Sequence, residues 1–356
     1  MKERNSKQEM SQKAVRRAKR RKKRVVLLGL EIVLLIILAA GVYVLLKYEK
    51  LGTENIQNEN IIINENVNET MKEYTNIALF GIDSRDESLD SGNRSDTMMI
   101  ASINNKTKEV RLVSVYRDTY LLIPKEGADY NKANLAYFYG GQEGAINLFN
   151  MNLDLDITDF VSVNFTALID TIDLLGGIDL EITEIEREYI NGYMTETSKI
   201  TGKKITPLNK SGMVHLDGLQ ATAYCRIRQT KGDDYRRTER QRLVISLIAE
   251  KSKKADIFTL NKIIDEVFPN ISTSLDMAEL FDLAKDVAKY ELTETAGFPF
   301  EKQGKDLGKK GSCVIPVDLE KNVIALHKFL FATEAYTASS TVITISDTIK
   351  TETGIK

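Results

Sequence analysis

The stretch TNIALFGID, residues 75–83, decides the fold class. It is a short apolar run closed by a glycine-containing turn and an acid, as a strand buried within a sheet should be. Two more runs follow, DTMMIASIN (96–104) and EVRLVSVYR (109–117), and the polar turn Asn105-Lys106-Thr107 between them predicts a pair of adjacent strands. Further on, Phe165, Leu168, Ile169, Ile172 and Leu175 recur at helical spacing until Gly176-Gly177 stops them. IDLEIT (178–183) then reads as a strand that completes a strand–helix–strand unit. Later helices are expected over residues 237–252, 257–267, 275–288 and 317–331. Strands alternating with helices predict an α/β domain in three layers, α/β/α, around a central mixed sheet.

Outward from this domain, expected at 74–334, the composition changes at both ends. Residues 335–356 are rich in Thr, Ser and Ile and read as a terminal strand or a loose tail. Residues 47–73 are rich in Asn and Glu without a clear period, which suggests a solvated extracytoplasmic linker. Before it, residues 25–46 form a run of 22 with one charge, Glu31. At about 1.5 Å per residue this spans roughly 33 Å, enough for a transmembrane helix. A cleaved signal peptide is the rival, given Leu38-Ala39-Ala40-Gly41, but the apolar run continues to Leu46. Residues 1–24 hold twelve Lys/Arg against two Glu, a charge of +10 in a chain of net −2, so the rest carries −12. That basic block is expected to stay cytoplasmic and to leave the domain outside the cell membrane. Its basic character also suits a phosphate backbone, yet a juxtamembrane position explains it more simply, and nucleic acid is not an expected partner. The two cysteines, Cys225 and Cys313, are expected as a disulfide in that compartment, with two buried free thiols as the alternative.

The chain carries no G-x-S-x-G elbow, Walker loop or C-x-x-C, and neither His215 nor His327 has metal-ligand or triad spacing. Acyl transfer by a protein nucleophile is thereby set aside. What stands out is YCRIRQTKGDDYRRTERQR (224–242), with six arginines at 226, 228, 236, 237, 240 and 242. Arg226 and Arg228, two apart in an extended segment, point the same way. Arg237, Arg240 and Gln241 would share a helix face. Converging guanidinium forks suit a ligand with several phosphate oxygens; a solvated charged helix is the plainer reading, and Leu243, Val244, Leu247 and Ile248 would supply its apolar stripe. Asp83 and Asp96 lie at strand ends, with Arg85 and Arg94 close by, and two carboxylates facing phosphates are a normal Mg²⁺ (or Mn²⁺) arrangement. Turn capping is the alternative for both acids. Arg117 and Lys132 add positive charge, although each alone reads as a surface residue.

Taken in order, seven segments resemble the LytR–CpsA–Psr family: NIALFGIDSR (76–85), RSDTMMIASIN (94–104), SVYRDTYLLIP (114–124), NKANLAYFYGG (131–141), LIDTIDLLGGIDL (168–180), HLDGLQATAYCRIR (215–228) and GDDYRRTERQR (232–242). The resemblance implies an α/β fold with a long apolar tunnel for a polyprenyl chain. It also implies Mg²⁺-assisted transfer of a phosphate-linked glycopolymer, such as wall teichoic acid or a capsular or secondary polysaccharide, from a polyprenyl (pyro)phosphate carrier to peptidoglycan. By motif position Asp83 and Asp96 would be the metal-side acids. Arg94, Arg117, Arg226, Arg228, Arg237, Arg240 and Gln241 would grip the pyrophosphate, with Arg85 and Lys132 nearby. Hydrolysis of the lipid pyrophosphate and a regulatory, attenuator-like role are the alternatives. Two departures are visible: Tyr116 stands where proline is usual, and Arg236 where glycine is frequent, leaving open which of Arg236 and Arg237 faces the phosphate.

Overall fold

In the computed structural model the seven-stranded central sheet grows from the stretch quoted above. The structure describes residues 52–356 except 55, 57, 66–68, 85–87, 128 and 230–232, together with 46 and 48–50. The basic residues 1–24, the expected span 25–46 (apart from Leu46) and Arg85 lie outside the described residues. Among the described residues no helix is long and apolar enough to cross a membrane.

In chain order the strands are β1 (Gly52–Thr53), β2 (Tyr74–Asp83), β3 (Arg94–Asn104), β4 (Glu109–Val115), β5 (Tyr120–Ile123), β6 (Asp129–Lys132), β7 (Asp159–Val163), β8 (Ile178–Ile182), β9 (Gly212–Leu216), β10 (Ile271–Thr273), β11 (Glu291–Phe298), β12 (Lys302–Asp306) and β13 (Ser312–Pro316). The helices are α1 (Leu135–Leu153), α2 (Phe165–Leu174), α3 (Glu184–Thr201), α4 (Gly218–Arg226), α5 (Asp233–Ser252), α6 (Ile257–Glu266), α7 (Met277–Lys285), α8 (Leu319–Phe331) and α9 (Ser340–Thr353). The main sheet runs β1-β10-β7-β2-β3-β4-β11, with β2–β3–β4 antiparallel and both β7 and β11 joining in parallel. The sheet is therefore mixed, as the alternation of elements suggests.

Side chains along β2 and β3 alternate between two apolar layers. Ala78, Phe80, Ile82, Met98 and Ile100 pack under α1, α8 and α9 in the main core. Ile77 and Ile103 meet Leu275, Leu280 and Leu283 beside α7, while Met99, Ala101 and Leu112 meet Ile245 of α5. Helices thus cover both faces. A fully buried Phe or Ile of this kind contributes about 1.5–3 kcal/mol.

Three expectations are corrected. The strand 178–182 does not enter the main sheet; it pairs with β9 in a separate antiparallel hairpin. That hairpin and α2–α4 form their own apolar cluster around Ile169, Ile172, Ile190, Leu216 and Leu219, closed by Val244 of α5. Gly176 and Gly177 do end α2, both at φ +76°, and a Cβ on Gly177 would lie 2.7 Å from the Leu216 carbonyl oxygen. The C-terminal stretch is neither strand nor loose tail: α9 buries Val342, Ile345 and Ile349 in the main core. The stretch before residue 74 is more than a spacer, since Leu51–Lys356 form one compact unit. Gly52–Thr53 extend the sheet, Met71 is fully buried, and Asn64 donates to Asp154 Oδ1 at 2.5 Å. Apolar residues spaced too irregularly to show a period are what hold it down.

Both cysteines are free, which corrects the disulfide expectation. Cys225 belongs to the α2–α4 cluster and Cys313 to the main core, so two different apolar layers bury them. Burial pushes the Cys225 thiol up to about 12.

Candidate active site

Between the main sheet and the α2–α4 cluster lies a cavity of about 510 Å³. Leu79, Val161, Val163, Phe165, Leu168 and Val244 give it an apolar wall. At its mouth a second, polar chamber of about 660 Å³ is lined by Asp83, Gly92, Asn93, Arg94, Asp96, Arg117, Phe138 and Arg228. The two chambers share Asp83, Asp96 and Arg228, so those side chains mark their junction.

Strand pairing brings the acids there. Asp83 ends β2 and faces Arg94 across the ladder, and Asp96 follows two residues later on β3. Arg117 comes just past β4, Arg226 is the last residue of α4, and Arg228 lies beyond the extended Ile227. Arg237 and Gln241, one helical turn apart on α5, complete the inner wall.

Asp96 is the hub. Arg117 donates to its Oδ1 at 2.5 Å, Arg228 to Oδ2 at 2.5 Å, and Arg237 to Oδ2 at 3.4 Å and to the backbone oxygen at 3.1 Å. Burial alone would raise its pKa, but the guanidiniums of Arg117, Arg237 and Arg228 hold the carboxyl below its ordinary range. Asp83 moves the other way: burial and the nearby Asp96 charge push it up, and its ion-pair partner, Arg226, stands 3.9 Å off. Arg226 is steered by Glu196 at 3.3 Å and Thr197 at 2.8 Å and lies over the rings of Phe165 and Tyr193. Arg94 is exposed, and its side chain makes no hydrogen bond or ion pair among the described residues.

Not all expected ligands face the chambers. Arg237 is only 1% exposed and is clamped between Asp96 and Asp234, the latter at 2.8 Å. It lines the inner chamber as a strut beneath the junction, while Arg236 points outward to Glu239. Arg240 turns away: its Nε and Nη2 donate to Glu186 at 3.0 and 2.9 Å, and its Nη1 to the Ile227 carbonyl at 3.2 Å. Glu186 is already fixed as the capping-box acid of α3, so Arg240 ties α5 to the helical cluster. Lys132 pairs with Asp118 at 3.2 Å and lines neither chamber. Sequence reasoning overlooked Asp234, whose carboxyl is pushed up by burial against the opposing pull of Arg237; its i, i+3 spacing to Arg237 was the available signal. Tyr116, the departure from proline, is accommodated because Gly297 has no Cβ; one there would lie 2.1 Å from the phenol oxygen.

Among the described residues no three acids, histidines or cysteines gather as a metal cluster. The pair Asp83 and Asp96 nevertheless fits Mg²⁺, which takes one or two carboxylates plus phosphate oxygens. Both carboxylates lie at one junction, where burial and the Asp96 charge push the Asp83 carboxyl up.

At the site an apolar chamber opens through several guanidiniums and two carboxylates. The model of the LytR_cpsA_psr family matches residues 42–313. The chain belongs to this family. It is 33% identical over 222 residues, 62% of this chain and 68% of the relative, to the polyisoprenyl-teichoic acid–peptidoglycan teichoic acid transferase TagU of Enterococcus faecalis. Its fold resembles the solved structure of TagT bound to LI-WTA (TM-score 0.59, 23% identity, 78% of this chain and 98% of that one). It also resembles TagT with bound octaprenyl pyrophosphate (TM-score 0.55, 22% identity, 78% and 98%).

Proposed function

We propose that the chain is a glycopolymer–peptidoglycan phosphotransferase, anchored in the membrane through residues 25–46 with residues 1–24 cytoplasmic. The observation that carries the reading is the junction of an apolar and a polar chamber at Asp83, Asp96 and Arg228. The inner chamber takes the carrier's polyprenyl tail, and the diphosphate lies at the junction between Arg94, Arg117, Arg226 and Arg228. A hydroxyl of the acceptor glycan attacks the glycan-bearing phosphorus and gives up its proton to solvent, a phosphodiester forms, and the bond to the carrier breaks as it leaves as polyprenyl monophosphate. Catalysis is then positioning and charge stabilisation, with no protein nucleophile. Mg²⁺ or Mn²⁺ bound to Asp83 and Asp96 would supply neutralisation of the diphosphate charge. Arg237 keeps Asp96 and Asp234 in place, and the inner chamber's apolar wall excludes water from the leaving side.

Detergent-solubilised full-length chain should carry polyprenyl phosphates, detectable by mass spectrometry of an organic extract. It should transfer glycan from a polyprenyl diphosphate donor to peptidoglycan fragments, and Arg228→Ala should lose transfer while staying folded. Retained transfer in that variant rejects the site. Release of glycan phosphate without attachment would point to hydrolysis instead.

A further inference from the structure

We infer that Phe138 is the platform of an acceptor subsite, on which a pyranose ring of the peptidoglycan glycan strand stacks. The inference rests on the transfer reading and deepens it. Among the described residues lining the outer chamber, Phe138 is the one large apolar side chain; the others are Asp, Arg, Asn and Gly. Phe138 is 37% exposed, and Tyr139, 50% exposed, packs edge-on against it at 5.3 Å with Lys125 over the Tyr139 ring. Such a surface does not suit the diphosphate, because the face of an aromatic ring is negative. Nor does it suit the lipid tail, for which the inner chamber already provides a continuous apolar wall. The C–H face of a neutral sugar, with its hydroxyls directed at Asn93, matches both kinds of lining.

The geometry of displacement selects the acceptor over the donor sugar. Attacking and leaving oxygens lie roughly in line across the transferred phosphorus. The leaving polyprenyl phosphate occupies the inner chamber, so the incoming hydroxyl must arrive through the outer one, the side that Phe138 walls. The platform is also pre-formed. Tyr137 Oη and Gln142 Nε2 donate to the Leu89 carbonyl at 2.6 and 3.2 Å, and Gly92 N–H donates to the Phe138 carbonyl at 2.9 Å. Gly141, at φ +58°, breaks α1 just after the two rings, so the opening turn that carries them is set off from the rest of the helix. A rigid platform loses little entropy on binding.

The chain contains no tryptophan, so full-length Phe138→Trp would hold a single fluorophore at the subsite. Titration with a β-1,4-linked N-acetylglucosamine tetramer should shift and saturate its emission; an unchanged spectrum up to millimolar glycan overturns the inference. In the transfer assay, Phe138→Ala should raise the acceptor KM about tenfold, the order expected for one ring contact, with donor KM and co-purified lipid unchanged, and Phe138→Tyr should restore it. A rise in donor KM instead would assign the ring to the donor sugar and also overturn the inference. Failure of the transfer reading shows up separately, as wild type that binds the tetramer yet moves no glycan.

Discussion

Arg237 and Arg94 lie at the same site but should fail in opposite ways when truncated. Arg237 is buried, with its guanidinium shared among Asp96 Oδ2, the Asp96 backbone oxygen and Asp234 Oδ1. Arg237→Ala removes the main partner of Asp234, leaving that carboxylate buried with Arg117 at 3.8 Å. Breaking a buried pair on one side costs about 3–5 kcal/mol. The low end is expected, because Asp96 keeps Arg117 and Arg228. For a unit of this size that is a fall in melting temperature of about 5 °C. Arg94 is exposed and unpaired among the described residues, so Arg94→Ala should move stability by no more than about 0.5 kcal/mol. Both variants should lose transfer, one through a collapsed junction and the other through a missing ligand contact. The assay is thermal unfolding of the full-length variants in detergent beside the transfer rate. Identical melting curves for the two would refute the division between strut and ligand arginines.

Two further outcomes follow from the same geometry. Asp83 has a raised pKa, so without a cation its ionisation costs stability as pH rises from the ordinary carboxylate value through the raised one; Mg²⁺ should reverse that loss over the same window, and Asp83→Asn should abolish the Mg²⁺-dependent rise in melting temperature. Arg240 and Glu186 should show a coupling of about 1–3 kcal/mol in a double-mutant unfolding cycle, while Arg240→Met keeps transfer by the molecules that remain folded; lost transfer at full folding would return Arg240 to the phosphate.

The parts of the fold legible in the sequence were those whose residues answer to a local period. TNIALFGID became β2 because its side chains alternate between two apolar layers, and Gly176-Gly177 ended α2 because only glycine tolerates that backbone beside Leu216. The C-terminal helix escaped because STVITISDTIKTET is β-branched and polar, a poor helix by propensity that is held by the burial of Val342, Ile345 and Ile349. The strand 178–182 was misplaced for a similar reason: periodicity identifies a strand, but not which strand it pairs with. At the site, spacing gathered the arginines yet could not rank them. Arg237 and Arg240 are equally basic and one turn apart, and only Asp234 and Glu186, contributed by the helix's own start and by α3, decide that both are held within the protein.

That ranking bears on how the site works. A ring of free guanidiniums would repel itself; here Asp96 pairs with three arginines and Asp234 with two of them, which offsets part of that charge. Arg117 and Arg228 are 20% and 38% exposed along their side chains and can turn from Asp96 to a diphosphate, whereas Arg237 at 1% cannot. On the proposed function, an incoming diphosphate would exchange one anionic partner for another and free an Asp96 oxygen beside Asp83. If Asp83 and Asp96 hold a divalent ion as proposed, the anion and the cation should bind together more tightly than either alone. A phosphate without a lipid tail gains the exchange but not the apolar chamber. Selectivity for a lipid-borne diphosphate then comes from the two chambers meeting at Asp83, Asp96 and Arg228, rather than from the number of arginines.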